Sequence, residues 1–379
     1  MLRFLKVLVI SLLSIILLGI ALLYITNHEY LLKGIRLTYL RGYTSASIDD
    51  WQYFNTRTVE KGLEKPWNLA VQEDNEELSE HLRAKLEELE SVAFLVIKDD
   101  SIRYEEYWHN YTEDDRVNSF SMAKSITTTL LHLAIKDGYI KGLSQAVGDF
   151  LPSFRDGKNA NLSVAHLARM CADLSWQEHY TSPFSITAKS YYGEDLEGIL
   201  TDLSVEEPGK EYLYQSGATA LLGLVIREAV GKPLSTYAAE KLWQPLGATQ
   251  DAYWMLDKED GLEKAYCCFA STARDFARMG KLFLNHGNFD GVQIVDSSWV
   301  DLVSHPDLVN YYSYGWWIHE KDNRKVFYMR GILGQYVFVI PELNTVVVRL
   351  GKKRGPKVDG THPAEVSHII DEMYNWYGK

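Results

Sequence analysis

The chain has 379 residues, of which 46% are hydrophobic and 24% charged, and its formal net charge is −12 at pH 7. A chain of this kind can bury a large core, and its length fits either two or three domains or one large enzyme domain. The acidic balance without a basic stripe predicts no nucleic-acid partner, and the absence of metal, phosphate-loop and dinucleotide motifs implies no cofactor.

The amino terminus carries a long apolar run. Residues 7–25 include 19 uncharged residues in succession, and Arg3 and Lys6 precede them. As a helix this run would be roughly 28 Å long, close to the ~30 Å hydrocarbon core of a bilayer. We therefore expect residues 1–26 to be an uncleaved membrane anchor. A cleaved signal peptide is the alternative, because residues 19–21 form a small-x-small site, although this site lies inside the run.

The basic residues around the run bear on its orientation. Arg3 and Lys6 favour an amino end in the cytoplasm. Lys33, Arg36 and Arg41 follow the run and weaken that preference. We expect a single-pass protein that contacts the membrane through the apolar run and has its catalytic part outside the cytoplasm.

The rest of the chain divides into a connecting segment and one large domain. Residues 27–75 show no clear hydrophobic period, and we interpret them as a stalk that wraps the domain of residues 76–379. Residues 93–108 form two strand-like runs on either side of Asp99-Asp100, which predicts a hairpin. Residues from about 120 to 300 are predicted to be mostly helical. The carboxyl-terminal part returns to strands before a last helix; the strand-like runs are "YYSYGWWIH", "KVFYM", "QYVFVI" and "TVVVRL".

This order of elements predicts an α/β (α+β) fold. A hairpin near the start and a meander at the end bracket the helical block. We expect one antiparallel sheet built from both ends of the domain and flanked by the terminal helices, with the helical block as a second lobe. A cleft between two such lobes is a usual place for a functional site.

The stretch "NSFSMAKSITTTLLHLAIKDGYIKG", residues 118–142, carries the strongest candidate for chemistry. Ser121 and Lys124 have the spacing i, i+3, so on a helix their side chains share a face. The free N–H groups of the first turn can bind a developing oxyanion. Lys124 can act as a base if desolvation between the lobes lowers its pKa. The alternative is a capped helix with a solvated lysine, because one S-x-x-K is expected by chance.

Two further segments offer partners for this pair. Tyr214 lies in a predicted turn before a helix, where its phenol could enter the cleft and exchange protons near a lysine. The alternative is one more structural tyrosine among 24. Gly331 lies on a predicted strand, where the lack of a side chain allows close backbone approach. A backbone N–H of this strand could complete an oxyanion hole with the N–H of Ser121.

The order of these motifs resembles the serine hydrolases related to class C β-lactamases and D,D-peptidases. The stretches "SMAKSITTTLLHLAIKDGYIKGLSQAVGDFLP", "VAHLARMCADLSWQEHY", "PGKEYLYQSGATALLGLVI" and "ASTARDFARMGKLFLNHG" are similar to blocks of that family. "RGILGQYVFVIPE" resembles in particular the branch that hydrolyses 6-aminohexanoate oligomers and esters. The resemblance implies a β-lactamase-like fold, with Ser121 as nucleophile, Lys124 and Tyr214 as proton carriers, and Ile332 as the strand N–H donor.

The chain departs from the β-lactamase pattern at two motifs. Ser216 stands where β-lactamases carry Asn, which reaches further toward a substrate amide. Met329-Arg330-Gly331 stands where they carry Lys-Thr-Gly, and Met329 cannot pair with a substrate carboxylate. Arg330 would supply the missing cation if its side chain points into the cleft. These departures favour simple esters over β-lactams.

The sequence thus predicts a membrane-anchored serine hydrolase that cleaves an ester or amide through an acyl-enzyme on Ser121. Its partners would be a small-molecule or peptide-like substrate and the membrane. A β-lactamase or D,D-peptidase-like penicillin-binding protein is the alternative within the class. A non-catalytic binding protein of the same fold is the alternative outside it. The adjacent Cys267 and Cys268 are interpreted as buried thiols.

Overall fold

A computed structural model describes residues 1–70 and 76–378 and contains a mixed α/β fold of the expected class. Residues 71–75, at the end of the predicted stalk, and residue 379 lie outside the described residues. The described helices are α1 (Leu2–Ile25), α2 (Tyr30–Leu37), α3 (Glu80–Glu88), α4 (Ala123–Lys136), α5 (Val164–Ala168), α6 (Ile186–Tyr192), α7 (Leu196–Thr201), α8 (Ser216–Val230), α9 (Leu234–Ala238), α10 (Ala273–Leu284), α11 (Ser297–Ser304) and α12 (Ala364–Tyr377).

The strands group into one large sheet, one smaller sheet and a two-stranded ribbon. They are β1 (Thr56–Val59), β2 (Asn68–Leu69), β3 (Ser91–Lys98), β4 (Ser101–Tyr107), β5 (Val117–Asn118), β6 (Ala252–Met255), β7 (Phe269–Ser271), β8 (Asn288–Phe289), β9 (Val292–Gln293), β10 (Tyr312–Ser313), β11 (Trp316–Lys321), β12 (Arg324–Gly331), β13 (Gln335–Ile340) and β14 (Thr345–Gly351).

The large sheet joins the two ends of the domain, as the sequence predicts. Its strand order is β10-β11-β12-β13-β14-β3-β4-β2. The junction is the antiparallel pairing of β14 with β3, in which Val347 lies opposite Val96. All neighbours are antiparallel except β2, which pairs in parallel with β4 at the edge. The meander "QYVFVI" and "TVVVRL" is buried along its whole length, as expected for strands covered on both faces.

Helices cover the large sheet and separate it from solvent. Helix α10 packs on β13 and β14, and α3 packs on β3 and on α12. Gly280 of α10 faces Val346 so closely that a Cβ atom would come within 2.4 Å of its methyl group. Leu82 and Leu86 of α3 lie in the core. Each fully buried aliphatic side chain contributes roughly 1.5–3 kcal/mol relative to exposure, so this sandwich is the main source of stability.

The helical block lies beside the sheet and centres on α4 and α8, which pack against each other. Helix α8 ends at Gly231, which adopts the left-handed conformation with φ of 67°. The smaller sheet, in the order β1-β6-β7-β5, lies under the start of α4. The backbone N–H of Ser119 donates to the carbonyl oxygen of Phe269 on β7 at 2.9 Å. The amino end of α4 is therefore fixed to this sheet.

The segment between α1 and residue 70 is folded onto the body. Strand β1 pairs with β6 of the smaller sheet, and β2 pairs with β4 of the large one. Arg57 of β1 also forms an ion pair with the buried Glu263. The segment therefore contributes a strand to each sheet, while a domain boundary at residue 76 stays a prediction.

Helix α1 has no buried side chain. With 24 residues and a mean hydropathy of 2.9 in its most apolar window, it is long and apolar enough to cross a membrane. A signal sequence near the amino terminus has the same properties. The structure thus supports an apolar amino-terminal helix that fits either an anchor or a signal peptide.

Arg349 of β14 is a fully buried cation that holds the turn after β12. Its Nη1 donates to the carbonyl oxygens of Leu333, Gly334 and Lys353 at 3.1, 2.7 and 2.9 Å. Its Nη2 donates to the carbonyl oxygen of Leu89 at 2.8 Å. Removing the guanidinium would leave buried carbonyl groups without a partner, which is costly.

We expect Arg349→Met to lower the free energy of unfolding by about 3–5 kcal/mol, the usual cost of removing one member of a buried charged network. Chemical denaturation followed by tryptophan fluorescence measures this. Arg324→Met is the matched control, since Arg324 pairs with Asp371 at the surface and its loss should cost at most about 1 kcal/mol. Equal losses in the two variants would contradict a structural role for Arg349.

Candidate active site

The structure brings Ser121 and Lys124 together at the start of α4. Ser121 lies in a 3-10 turn, Phe120–Met122, and Lys124 lies in the first turn of the α-helix that follows. The Lys124 ammonium donates to the Ser121 hydroxyl at 3.1 Å. The i, i+3 spacing therefore gives direct side-chain contact, as the sequence predicts.

The residue before Ser121 has a strained backbone. Phe120 adopts φ of 44°, in the left-handed region that bulky residues avoid. Such a conformation costs on the order of 1–3 kcal/mol and persists where its surroundings fix it. Here the N–H of Phe120 donates to Asn118 Oδ1 at 3.0 Å, and the hydroxyl of Ser119 donates to the Phe120 carbonyl oxygen at 3.0 Å. The sequence gives no signal for this strain, which aims Ser121 into the cleft.

Lys124 is buried, with 1% of its surface exposed. Besides Ser121, its Nζ contacts Ser216 Oγ at 3.0 Å and the carbonyl oxygen of Tyr266 at 2.8 Å. Burial lowers the pKa of Lys124 to about 8, although the nearby charge of Glu178 raises it in part. At this pKa about a tenth of the amine is neutral at pH 7.

Glu178 is a site residue that the sequence does not reveal. Its carboxylate accepts hydrogen bonds from the N–H of Ser216 at 2.7 Å, the hydroxyl of Ser216 at 2.8 Å and Trp176 Nε1 at 2.8 Å. It is the only acid whose charge is found to raise the pKa of Lys124 within the described chain. The only signal in the sequence is an acid in "SWQEHY", which has no periodic or motif context of its own.

Ser216 links Lys124 to this acid. Its side chain is 2% exposed, and its hydroxyl accepts from Lys124 and donates to Glu178. Its hydroxyl is thus engaged within the protein, and the residue also lines part of the cleft. A contact of Ser216 with the substrate, at the position where β-lactamases carry Asn, stays a prediction.

Tyr214 comes immediately before the N-cap of α8, in the predicted turn. The Lys124 Nζ lies 5.1 Å from the centre of the Tyr214 ring. Burial raises the pKa of the Tyr214 phenol above its ordinary value, and a hydrogen bond with Ser121 lowers it in part. The resting phenol is therefore protonated, next to Ser121.

Strand β12 passes close to the start of α4. A Cβ atom on Gly331 would lie 2.2 Å from the carbonyl oxygen of Ser119, so only glycine fits there. Ile332, the next residue, lines the cleft together with Ser121. The close approach predicted for Gly331 is thus present, and Ile332 lies on the same wall as Ser121.

Met329 and Arg330 point in opposite directions because strand side chains alternate. Met329 is fully buried, whereas Arg330 is half-buried and lines the cleft. The Arg330 guanidinium lies 3.5 Å from the centre of the Trp317 ring and donates to the Thr361 carbonyl oxygen at 2.8 Å. In Met329-Arg330-Gly331 the cation therefore lies one residue later than the lysine of Lys-Thr-Gly in β-lactamases, and its side chain faces the cleft.

The cleft divides into two pockets that meet at Ser121. We call the first the apolar pocket; it has a volume of about 220 Å³, and its lining includes Leu31, Ile35, Phe120, Ala188, Tyr191 and Tyr192. We call the second the cationic pocket; it has a volume of about 470 Å³, and its lining includes Tyr214, Tyr311, Trp317, Arg330, Arg354 and Lys357. A substrate bound at Ser121 would therefore meet two chemically different surfaces.

Cys267 and Cys268 are joined by a disulfide, so the expectation of buried thiols is wrong. The sequence of two adjacent cysteines does not distinguish free thiols from a disulfide. Cys267 lines the apolar pocket, and its neighbour Tyr266 supplies the carbonyl oxygen that binds Lys124. Within residues 1–70 and 76–378, no cluster of three or more His, Cys, Asp or Glu side chains is arranged to hold a metal ion.

The chain is similar in sequence to known proteins. Residues 78–370 match the Beta-lactamase family model. The chain is 26% identical over 319 residues to the 6-aminohexanoate-dimer hydrolase of Paenarthrobacter ureafaciens, covering 76% of this chain and 80% of that protein.

Solved structures show the same fold. A Bacillus anthracis protein provisionally named a 6-aminohexanoate-dimer hydrolase superposes with a TM-score of 0.75 at 21% identity, covering 86% of this chain and 91% of that one. A penicillin binding protein from Bacillus halodurans superposes with a TM-score of 0.61 at 16% identity, covering 78% and 99%. Because the family model covers most of the chain, the protein belongs to the Beta-lactamase family and is a serine hydrolase.

Proposed function

We propose that the protein hydrolyses an ester or amide through an acyl-enzyme formed on Ser121. The observation that carries this proposal is the buried Lys124 amine, 3.1 Å from the Ser121 hydroxyl and with a pKa lowered to about 8. A hydroxyl is a weak nucleophile unless a neighbouring base removes its proton. A solvated lysine could not act as that base near neutral pH, whereas this one can.

The hydrogen bonds of Lys124 direct its lone pair at Ser121. The Tyr266 carbonyl oxygen can only accept a hydrogen bond, and the Ser216 hydroxyl already donates to Glu178. Once Lys124 is neutral, its two N–H groups keep these two acceptors. The Ser121 hydroxyl is then the one neighbour of the three that can donate its proton to the amine.

The reaction would proceed in two halves. As Ser121 Oγ bonds to the carbonyl carbon, its proton moves to Lys124 Nζ, and the backbone N–H groups of Ser121 and Ile332 stabilise the oxyanion. The bond to the alcohol or amine breaks, and this leaving group takes a proton from Lys124 by way of the Tyr214 phenol. Water then attacks the acyl-enzyme with the same groups as base, which releases the acid and restores the Ser121 hydroxyl.

There are two alternative functions for this site. A β-lactamase or D,D-peptidase would use the same nucleophile, and it would need a cation for the substrate carboxylate. A non-catalytic binding protein would have no need for the arrangement of Ser121, Lys124 and Tyr214, which argues against it. For the location, we propose that α1 is retained as an anchor and that the hydrolase lies outside the cytoplasm.

Ser121→Ala should abolish labelling by a fluorophosphonate probe and lower ester turnover by at least about 10⁴, because the variant cannot form the acyl-enzyme. The thermal unfolding midpoint should stay unchanged. Ser153→Ala is the matched control, because Ser153 is an exposed serine outside both pockets. Covalent labelling of Ser121→Ala would contradict the assignment of the nucleophile.

The pH profile tests Lys124 as the base. Only the neutral amine accepts a proton, so kcat/KM should rise with pH and reach half its plateau near pH 8. The charge of Glu178 raises the pKa of Lys124, so Glu178→Gln should move the half-point to lower pH. Glu206→Gln, an exposed acid paired with Lys158, should leave the half-point in place. A half-point that stays or rises in Glu178→Gln would exclude this electrostatic coupling.

Arg330 should matter for substrates that carry a carboxylate. In the wild type, kcat/KM for a short p-nitrophenyl ester should exceed that for nitrocefin by at least about two orders of magnitude, because ester carbonyls are more reactive and need less positioning, and because Arg330 lies one residue away from the position of the lysine in Lys-Thr-Gly. A charge-assisted hydrogen bond contributes roughly 1.5–3 kcal/mol, so Arg330→Met should lower kcat/KM for nitrocefin by a further ten- to hundredfold. The neutral ester is the internal control and should change less than threefold. Equal losses of kcat/KM on the two substrates would contradict the proposal that Arg330 binds the substrate carboxylate.

A further inference from the structure

The apolar pocket has the composition of a binding site for a hydrocarbon chain. No Asp, Glu, Lys or Arg occurs among its described lining residues. Its apolar walls include the aliphatic side chains of Leu31 and Ile35, the rings of Tyr191 and Tyr192, and Phe120 beside the nucleophile, and serine and threonine side chains and one histidine complete the lining. Apolar surface removed from water in such a pocket favours binding in proportion to its area.

The pocket is large enough for an acyl chain. Its volume of about 220 Å³ is well above the ~10–15 Å³ that a cavity needs to hold one water molecule. A linear chain of about six carbons with its carbonyl at Ser121 fits this space, whereas an acetyl group leaves most of it empty.

The pocket wall comes from the segment that follows helix α1. Helix α2 supplies Leu31, Gly34 and Ile35, and the turn after it supplies Tyr39. Leu31 is six residues from the end of α1 at Ile25, so the two are at most roughly 20 Å apart along the chain. A wall of the pocket is therefore held near whatever membrane α1 enters.

The mouth of the pocket carries exposed apolar side chains that lie at the foot of α1. Ile35 and Tyr39 are 45% and 66% exposed at the rim, and Phe184 is 67% exposed. The Tyr30 hydroxyl donates to the Pro183 carbonyl oxygen at 3.0 Å, and the ring of Phe184 packs edge-on against His28. The residues that join α1 to α2 thus hold the rim, and the rim presents apolar surface beside them.

We propose that the apolar pocket binds the acyl chain of the substrate, a linear aliphatic chain of about six carbons or more, and receives it from an amphiphile dissolved in the bilayer that α1 enters. This inference rests on the proposed function and on α1 as a retained anchor. The acyl carbonyl then lies at Ser121, and the alcohol or amine portion occupies the cationic pocket. Arg330, Arg354 and Lys357 suit a polar or anionic leaving portion.

The first experiment varies the acyl chain with a constant leaving group. The full chain, reconstituted in phosphatidylcholine liposomes, is assayed with p-nitrophenyl esters from acetate to dodecanoate. We expect kcat/KM to rise by up to about fourfold per methylene and by at least about thirtyfold in total. Acetate esters of longer alcohols should show no comparable rise. A rise that follows the alcohol instead would overturn the assignment of the acyl chain.

Variants of the pocket give a sharper readout. Ala188→Leu fills part of the pocket, so it should lower the octanoate-to-acetate ratio of kcat/KM by at least about tenfold. Ala160→Leu is the matched control, because Ala160 is exposed and lines neither pocket. Ile35→Ser at the exposed rim is a second variant that should lower the same ratio by at least about threefold without filling the pocket. Unchanged ratios in the two pocket variants would overturn the proposal.

A second experiment tests the source of the chain. A phospholipid that carries one octanoyl chain is placed either in the liposomes that hold the protein or in separate liposomes, and released octanoate is measured. We expect release at least about tenfold faster when lipid and protein share a bilayer. Equal release in the two arrangements, or none in either, would overturn the bilayer as the source.

The outcomes separate this inference from the proposed function. Ester hydrolysis that is lost in Ser121→Ala but is independent of chain length would overturn the inference and leave the proposed function standing. If Ser121-dependent hydrolysis is absent with every ester, both the proposed function and this inference are overturned.

Discussion

The burial of one ammonium group, that of Lys124, against the Ser121 hydroxyl is the constraint on which the rest of the site depends. Desolvation favours the neutral amine and so produces a base near neutral pH. The same desolvation is destabilising unless every polar contact is satisfied, and three acceptors at 2.8–3.1 Å meet this need. They come from the turn before α4, from α8 and from the segment before β7, so three separate segments of the chain must meet at one side chain.

A site with a buried lysine and a strained backbone lowers the stability of the protein, and interactions in other parts of the fold compensate for this loss. The left-handed Phe120 and the buried Lys124 are both unfavourable taken alone. They persist because β5 and β7 fix the backbone before α4 and because Glu178 partly balances the buried charge. The large sheet and its helices provide the hydrophobic stabilisation that makes such local strain tolerable.

The sequence predicts those parts of the fold and site that depend on local spacing. Ser121 and Lys124 are three residues apart at the start of one helix. The strands of the buried meander are recognisable in the sequence as apolar runs. Glu178 is far from both in the chain and carries no periodic signal, so only the tertiary structure brings it to Lys124. The inward direction of Arg330 depends on the register of β12. The pocket wall formed by α2 is not predictable because the sequence of an eight-residue helix does not show which part of the domain its apolar face will cover.

The origin of the two pockets suggests how chemistry and selectivity are divided along the chain. Every residue assigned to bond making lies within residues 78–370, the part that matches the family. The outer wall of the apolar pocket lies in residues 31–46, before that match begins. A helix that packs against the catalytic domain from outside can change its lining side chains without disturbing the buried lysine, because none of its residues contacts that amine. The side chains of residues 31–46 can therefore alter what the apolar pocket accepts while the nucleophile and its base stay unchanged.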